Sequence, residues 1–338
     1  MKRILVIKLR AIGDVLLSTV VLDNLRRAFP AAEIHFLTEP AAAGLLPHEP
    51  SLDKILVFDR KRMTGIDLIR TVRRARYDLV LDLFGNPRTA LVTWLSGAEN
   101  RVGFRFRGRA YAYNHCIPPR GDRVHNTQFN LDALESIGVP IVTRVPSLAI
   151  SEQERTRARE LLAPMATERG PTIAINAGGG WYTKRWGVER FAELADILAA
   201  QHHAHIVVLW GPGERAQADE LAQMMKSAVV IPPATSLLEL AGLLEQCDLL
   251  VTNDSGPMHI AAAMGTRVLA VFGPTNPDLQ GPCGDGHRIV RQEELECLGC
   301  NLTRCPIGHP CMNELSVERV YAVARSMLME EHGSPPGN

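Results

Sequence analysis

The chain has 338 residues, 46% of them hydrophobic, and a formal net charge of zero. That length suits two domains, each with its own core. No apolar run approaches the roughly 18 residues of a membrane span, and few aromatics with no recognition motif argue against nucleic-acid binding. The charge is nonetheless divided. Residues 1–150 hold 22 Lys+Arg against 14 Asp+Glu, while residues 151–338 hold 15 against 23, so the first half is the one suited to an anionic partner.

In chain order, MKRILVIKLRAIGDVLL is basic and apolar, but Lys8 and Arg10 interrupt it and no small-residue cleavage site follows. It reads as a buried strand over Arg3–Leu9 and not as a signal peptide, which points to a cytoplasmic protein. GDVLLSTVVLDNLRRAF predicts one amphipathic helix opened by Gly13-Asp14. EIHFLTE, KILVFD and YDLVLDLF predict strands, with a basic helix through Arg70–Arg76 between the last two and a helix from Asn126 to Gly138 closing this half. The stretch 146–170, with Pro146, Pro164, Gly170 and a dense charged run, reads as a domain join with a solvated helix in its middle. Beyond it, TIAINA, HIVVLWG, AVVIP, DLLVTND and RVLAVFG predict five more strands. The tail HGSPPGN is expected to be disordered. Alternating strands and helices imply parallel sheets with crossover helices. The expected architecture is α/β: two doubly wound domains, residues 1–155 and 168–325, facing each other across a cleft.

Polar corners sit where several of these strands stop, the place where open α/β sheets bind ligands. After the first strand, Gly13 allows an unusual turn and Asp14 stands at a helix N-terminus that favours its carboxylate. It could abstract a proton from a sugar hydroxyl or simply cap the helix. In NAGGGWYTKRWG, Gly178 to Gly180 let backbone approach a ligand, with Lys184 and Arg185 close behind; this is a plausible phosphate nest. It has neither the P-loop nor the dinucleotide glycine spacing. In LWGPGERAQ, Glu214 is placed either for a ribose diol or for the dipole of its own helix. In VTNDSGPMHIAAAMG, Asp254, Ser255, Gly256 and His259 share one corner, and capping by Asp254 or Ser255 is the simplest reading.

Four of the seven cysteines crowd into CLGCNLTRCPIGHPC. Cys297, Cys300, Cys305 and Cys311 could hold a tetrahedral zinc, although five residues separate the second pair instead of the usual two to four. Four thiols buried in an irregular loop are the alternative; disulfides suit a reducing cytosol poorly.

Taken together, KLRAIGDVLLSTVVLDNLRRAFP, RVGFRFRGRAYAYN, HNTQFNLDALESIG, GGGWYTKRWG, NDSGPMHIAAAMGTRVLAVFGPTNP and CLGCNLTRCPIGHPCM resemble the ADP-heptose:lipopolysaccharide heptosyltransferases, glycosyltransferase family nine, over nearly the whole chain. The resemblance implies a GT-B fold, with the acceptor in the N-terminal domain and the sugar nucleotide in the C-terminal one. It implies inverting transfer of a heptose from ADP-heptose to a growing inner-core oligosaccharide on a Kdo–lipid A type acceptor. Asp14 matches the general base, Lys184 the basic group near the phosphates and Glu214 the acid near the ribose. Asp254, Ser255, Gly256 and His259 match the loop that cradles the diphosphosugar. Gly13, Gly179, Gly180, Thr183 and Thr235 complete the expected substrate-binding set. Gly187 stands after Trp186 where the family often has Pro.

The expected mechanism is a single in-line displacement that requires no metal or other cofactor. Asp14 takes the acceptor proton, and Lys184 with helix N-termini stabilises the leaving ADP. Arg60–Arg76 carries seven Lys+Arg against one acid and Arg101–Arg123 six against one. Arg105, Arg107 and Arg109 are therefore expected to meet an anionic glycolipid, and the same surface to touch the anionic inner leaflet of the inner membrane. The rival readings are a GT-B transferase using another nucleotide sugar and a non-catalytic nucleotide-sugar-binding protein.

Overall fold

Strands of a parallel sheet are buried on both faces and read as continuous apolar runs. RILVI meets that condition: Ile4, Leu5, Val6 and Ile7 are all fully buried. The computed structural model describes residues 1–165 and 170–330. The tail HGSPPGN lies outside the described residues.

Contacts divide the chain into two units, Met1–Ser151 and Glu152–Asn338. The first unit's strands are β1 (Arg3–Ile7), β2 (Glu33–Thr38), β3 (Lys54–Val57), β4 (Leu79–Asp82), β5 (Asn100–Phe104) and β6 (His115–Ile117). They pair in parallel in the order β3-β2-β1-β4-β5-β6. The order reverses between β1 and β4, so the crevice beyond their carboxyl ends is this unit's switch point.

The second unit repeats the plan with β7 (Thr172–Asn176), β8 (His205–Val208), β9 (Val229–Val230), β10 (Leu249–Asn253), β11 (Arg267–Val271) and β12 (Arg288–Val290). Its order is β12-β11-β10-β7-β8-β9, again all parallel, with the switch point between β7 and β10. Its core is built around Trp186, Phe191 and the apolar strand residues.

The structure departs from the sequence reading in three places. The single helix expected from Gly13 is two, Ile12–Ser18 and Val20–Ala28. At the break the Ser18 and Thr19 hydroxyls bond back to the Val15 and Leu16 carbonyls, competing with the helical ladder. Strands β5, β6 and β12 were not foreseen; they are short and lack a long apolar run. The solvated helix at the expected join, Glu152–Leu162, packs on the helix Leu237–Glu245 of the second unit. Gly242 makes that approach possible, since a Cβ there would lie 2.9 Å from the Glu154 carbonyl oxygen. Arg155 pairs with Glu245 at 2.9 Å across the same contact. By its contacts this helix belongs to the second unit, which begins at Glu152. Among the described residues, no helix is long and apolar enough to cross a membrane.

Candidate active site

In the second unit, the loops after β7, β8, β9, β10 and β11 all leave the same edge of the sheet, because every strand runs the same way. The first of them is pinned from below. Asn253, buried at the end of β10, donates from Nδ2 to the carbonyls of Ala177 (2.9 Å) and Gly178 (3.0 Å). Its Oδ1 accepts the Trp186 N–H at 3.1 Å. The Trp186 ring is fully buried and donates to the Leu315 carbonyl at 2.9 Å. The glycine loop thus starts and ends on fixed points.

Glu214 closes the loop from the side. Its Oε1 accepts the Gly179 N–H at 3.2 Å and its Oε2 the Gly211 N–H at 2.9 Å. A Cβ on Gly178 would stand 2.5 Å from Oε2, so a side chain here would push the Glu214 carboxylate off its bonds. A Cβ on Gly179 would meet only ordinary contacts, and one on Gly180 would find open space. Of the three glycines, Gly178 and Gly179 are buried and Gly180 is exposed; the Gly179 carbonyl accepts from Arg185 Nε at 3.0 Å.

Lys184 and Asp254 face each other 2.6 Å apart, Nζ to Oδ2, with side chains 14% and 6% exposed. Thr275 donates its hydroxyl to the same Oδ2 at 2.6 Å. The ammonium also lies 4.6 Å from the centre of the Trp181 ring, a favourable cation–π distance. Lys184 is therefore held in place at the loop, not free to sweep solvent.

The capping reading of the β10 corner does not hold. Ser255 is the N-cap of helix Gly256–Ala263 but makes no side-chain cap bond. Its Oγ instead accepts from Asn176 Nδ2 at 3.0 Å and lies 3.1 Å from Thr252 Oγ1. Asp254 is committed to Lys184 and Thr275. The helix N-terminus is thus left uncapped by side chains, the condition for binding an anion. His259 is buried in the helix's first turns, Thr183 is buried beside Lys184, and Thr235 is half-buried in the loop after β9. Gly187 has φ +56°, a value closed to proline, so the backbone enters helix Val188–His202 in a way a Pro-bearing relative could not copy.

In the first unit, Gly13 is buried and Asp14 half-buried in helix Ile12–Ser18, beyond the end of β1. Asp14 Oδ2 accepts the Ala11 N–H at 3.1 Å. Asp14 thus bonds its own helix start through one oxygen. The sequence reading missed two neighbours. Lys8 donates to the Leu83 carbonyl at 3.2 Å; burial pushes its pKa down, opposed by the Asp14 and Asp82 carboxylates. Asp82, fully buried at the end of β4, accepts from Gly85 N–H (2.8 Å) and Tyr113 Oη–H (2.8 Å). Burial pushes its pKa up against those bonds.

The three arginines of the basic segment separate. Arg105 and Arg107 are exposed. Arg109 is half-buried, donates from Nη1 to the Gly85 carbonyl at 2.8 Å and sits 5.6 Å over the Phe106 ring. It is tied to the same turn that Asp82 holds.

The cysteines are all free thiols, and among the described residues no group of three or more His, Cys, Asp or Glu is placed to hold a metal ion. The Cys311 thiol is pushed up to about 11, chiefly by burial and then by the neighbouring Cys297, Cys300 and Cys305.

Two parallel six-stranded units, each with a polar corner at its switch point, define an α/β protein of the GT-B class. The chain matches the family described as glycosyltransferase family 9 (heptosyltransferase) over residues 66–309. It belongs to glycosyltransferase family 9 and is a glycosyltransferase. It is 26% identical to lipopolysaccharide heptosyltransferase 1 of Pseudomonas aeruginosa over 329 residues, covering 90% of this chain and 87% of that one. It is 25% identical to lipopolysaccharide heptosyltransferase 3 of Escherichia coli over 284 residues, 78% and 81% of the two chains. The crystal structure of a family 9 glycosyl transferase from Veillonella parvula superposes with a TM-score of 0.87 at 26% identity, covering 98% of each chain.

Proposed function

We propose that this glycosyltransferase moves a heptose from ADP-heptose to the inner core of lipopolysaccharide, on a Kdo–lipid A or heptosyl-Kdo–lipid A acceptor, with inversion at the anomeric carbon. The observation that carries the reading is the Lys184–Asp254–Thr275 cluster beside an uncapped helix N-terminus at the switch point of the second unit. A fixed cation and a helix start together suit a diphosphate leaving group. Gly179, Gly180, Thr183, Ser255, Gly256 and His259 lie on the same loops. Glu214, with both oxygens already accepting N–H groups, has lone pairs left for a ribose hydroxyl.

Asp14 takes the proton of the acceptor hydroxyl as it attacks the anomeric carbon. The bond to the ADP oxygen breaks in the same step, and Lys184 stabilises the charge that oxygen gathers. One positioned base supplies about 10²–10⁴-fold, so orientation of the two substrates carries most of the acceleration. Every step is assigned to side chains and backbone of this chain. Arg105 and Arg107 meet the acceptor's phosphates and carboxylates, and place the enzyme in the cytoplasm at the anionic inner face of the inner membrane.

The relatives named above are a heptosyltransferase 1 at 26% identity and a heptosyltransferase 3 at 25%, so the heptose position is not part of the proposal. The test is mass spectrometry of the product formed from a panel of nucleotide sugars and a truncated Kdo–lipid A acceptor. A product heavier by one heptosyl residue, formed from ADP-heptose alone, is expected. Transfer of another sugar, or tight ADP binding with no product from any donor, would replace the reading with one of its rivals.

A further inference from the structure

Beside the Tyr182–Lys184 turn of the second unit lies a cavity of about 290 Å³ whose walls include Tyr182, Thr183, Thr303, Arg304, His309 and Asn313. Two of these residues carry buried polar atoms without a hydrogen-bond partner: Oγ1 of Thr183, which is 1% exposed, and Nε2 of His309, which is 6% exposed. Leaving such an atom unsatisfied carries the full cost of taking it out of water, and folded proteins leave few. His309 is nonetheless firmly placed. Its N–H donates to Cys305 Sγ at 3.3 Å, and its ring stacks on Tyr182 with centres 5.0 Å apart. Among the described residues no carboxylate lines the cavity, and Arg304 supplies a guanidinium.

A space walled by one guanidinium, hydroxyls and an imidazole, with unmet hydrogen-bonding groups and no acid, has the chemistry of an oxyanion site. We propose that this cavity is a phosphate-binding subsite, with Arg304, the Thr183 and Thr303 hydroxyls and the Nε2–H tautomer of His309 as donors. Thr183 is joined directly to Lys184, so the subsite adjoins the donor loop. The cysteine-bearing segment, which the mechanism leaves without a role, then serves to carry Arg304 and His309 to that loop. The phosphate comes either from the donor's diphosphate or from a phosphate on the acceptor glycolipid. That choice rests on the function proposed above, whereas phosphate binding itself does not.

The experiment is calorimetric titration of inorganic phosphate into the full-length protein, its Arg304→Gln variant and its His309→Asn variant. Arg304 is exposed, so its replacement leaves the fold intact. Asn tolerates the φ of +66° found at His309. The wild type is expected to bind phosphate at millimolar concentration and each variant to bind at least about tenfold more weakly, the loss of one charge-assisted hydrogen bond. No phosphate uptake by the wild type, or equal affinity in all three proteins, would overturn the subsite. The source is then read from steady-state kinetics of Arg304→Gln. A raised donor KM alone assigns the site to the diphosphate, and a raised acceptor KM alone to the glycolipid phosphate. If neither constant moves, the assignment to a substrate phosphate is overturned. Phosphate binding without glycosyl transfer from any donor would keep the subsite and remove the proposed function.

Discussion

Lys184 Nζ lies 2.6 Å from Asp254 Oδ2, and both side chains are largely withdrawn from water. Such a pair is costly to break from one side, because the remaining charge stays buried. Lys184→Met should therefore lower stability by about 3 kcal/mol, the lower end of the range for removing one partner of a buried pair. The double variant Lys184→Met/Asp254→Asn should recover most of that loss without recovering turnover. Urea unfolding of the three proteins with initial rates separates the two effects. Additive losses in stability would show that the ion pair is not a coupled unit.

The glycine loop offers a contrast inside three residues. Gly178→Ala drives a Cβ to 2.5 Å from Glu214 Oε2, and the carboxylate must leave the N–H groups it now accepts. A loss of about 1–3 kcal/mol is expected. Gly180→Ala meets nothing within 4 Å and should change the melting temperature little. Equal melting temperatures for the two variants would mean that Glu214 does not hold the loop.

For the acceptor, the arginines must be tested apart. Arg105→Gln with Arg107→Gln should raise the acceptor KM and weaken its salt dependence while the donor KM stays level. Arg109→Gln should instead cost about 1 kcal/mol of stability through the lost bond to Gly85. A triple replacement would mix binding with folding. If the Arg105/Arg107 pair leaves both constants unmoved at low salt, the exposed arginines form only a solvated face.

A pH effect on stability comes from Glu49, whose carboxyl is pushed up from 4.5 to about 7, first by burial and also by Asp23, against the Ser51 N–H bond. The folded state holds this proton more tightly than the unfolded chain does. Stability from Glu49 is therefore complete below pH 4.5, falls between 4.5 and about 7, and is flat above. Glu49→Gln keeps an acceptor for Ser51 and should be more stable than wild type above pH 7 by on the order of 2–3 kcal/mol. Chemical denaturation at pH 5 and pH 8 checks it; a difference that does not grow with pH would place an ordinary carboxylate at Glu49.

The parts of this molecule that were legible in sequence are those governed by local pattern. β1 and β10 announce themselves as apolar runs, and the corners after them as abrupt polar breaks. The unforeseen strands β6 and β12 have three residues each, too few for any period. The site's fixed points were hidden for another reason. Asp82 with Tyr113, Asp254 with Thr275, and Glu214 with Gly179 are partners far apart in sequence, and no spacing rule links them. Ser255 shows the converse error. Its position names it a cap, but Asn176 and Thr252 compete for its hydroxyl and win.

The most direct test of the mechanism is the rate of heptosyl transfer by Asp14→Asn beside wild type, with ADP affinity measured on both. Asn can still accept the Ala11 N–H that Asp14 now accepts, so the helix start is preserved while the base is lost. The account predicts unchanged ADP affinity and a turnover lower by at least about 10²-fold, the small end for a missing general base. Turnover equal to wild type would contradict it and leave Asp14 as a residue that only secures the first turn of its helix.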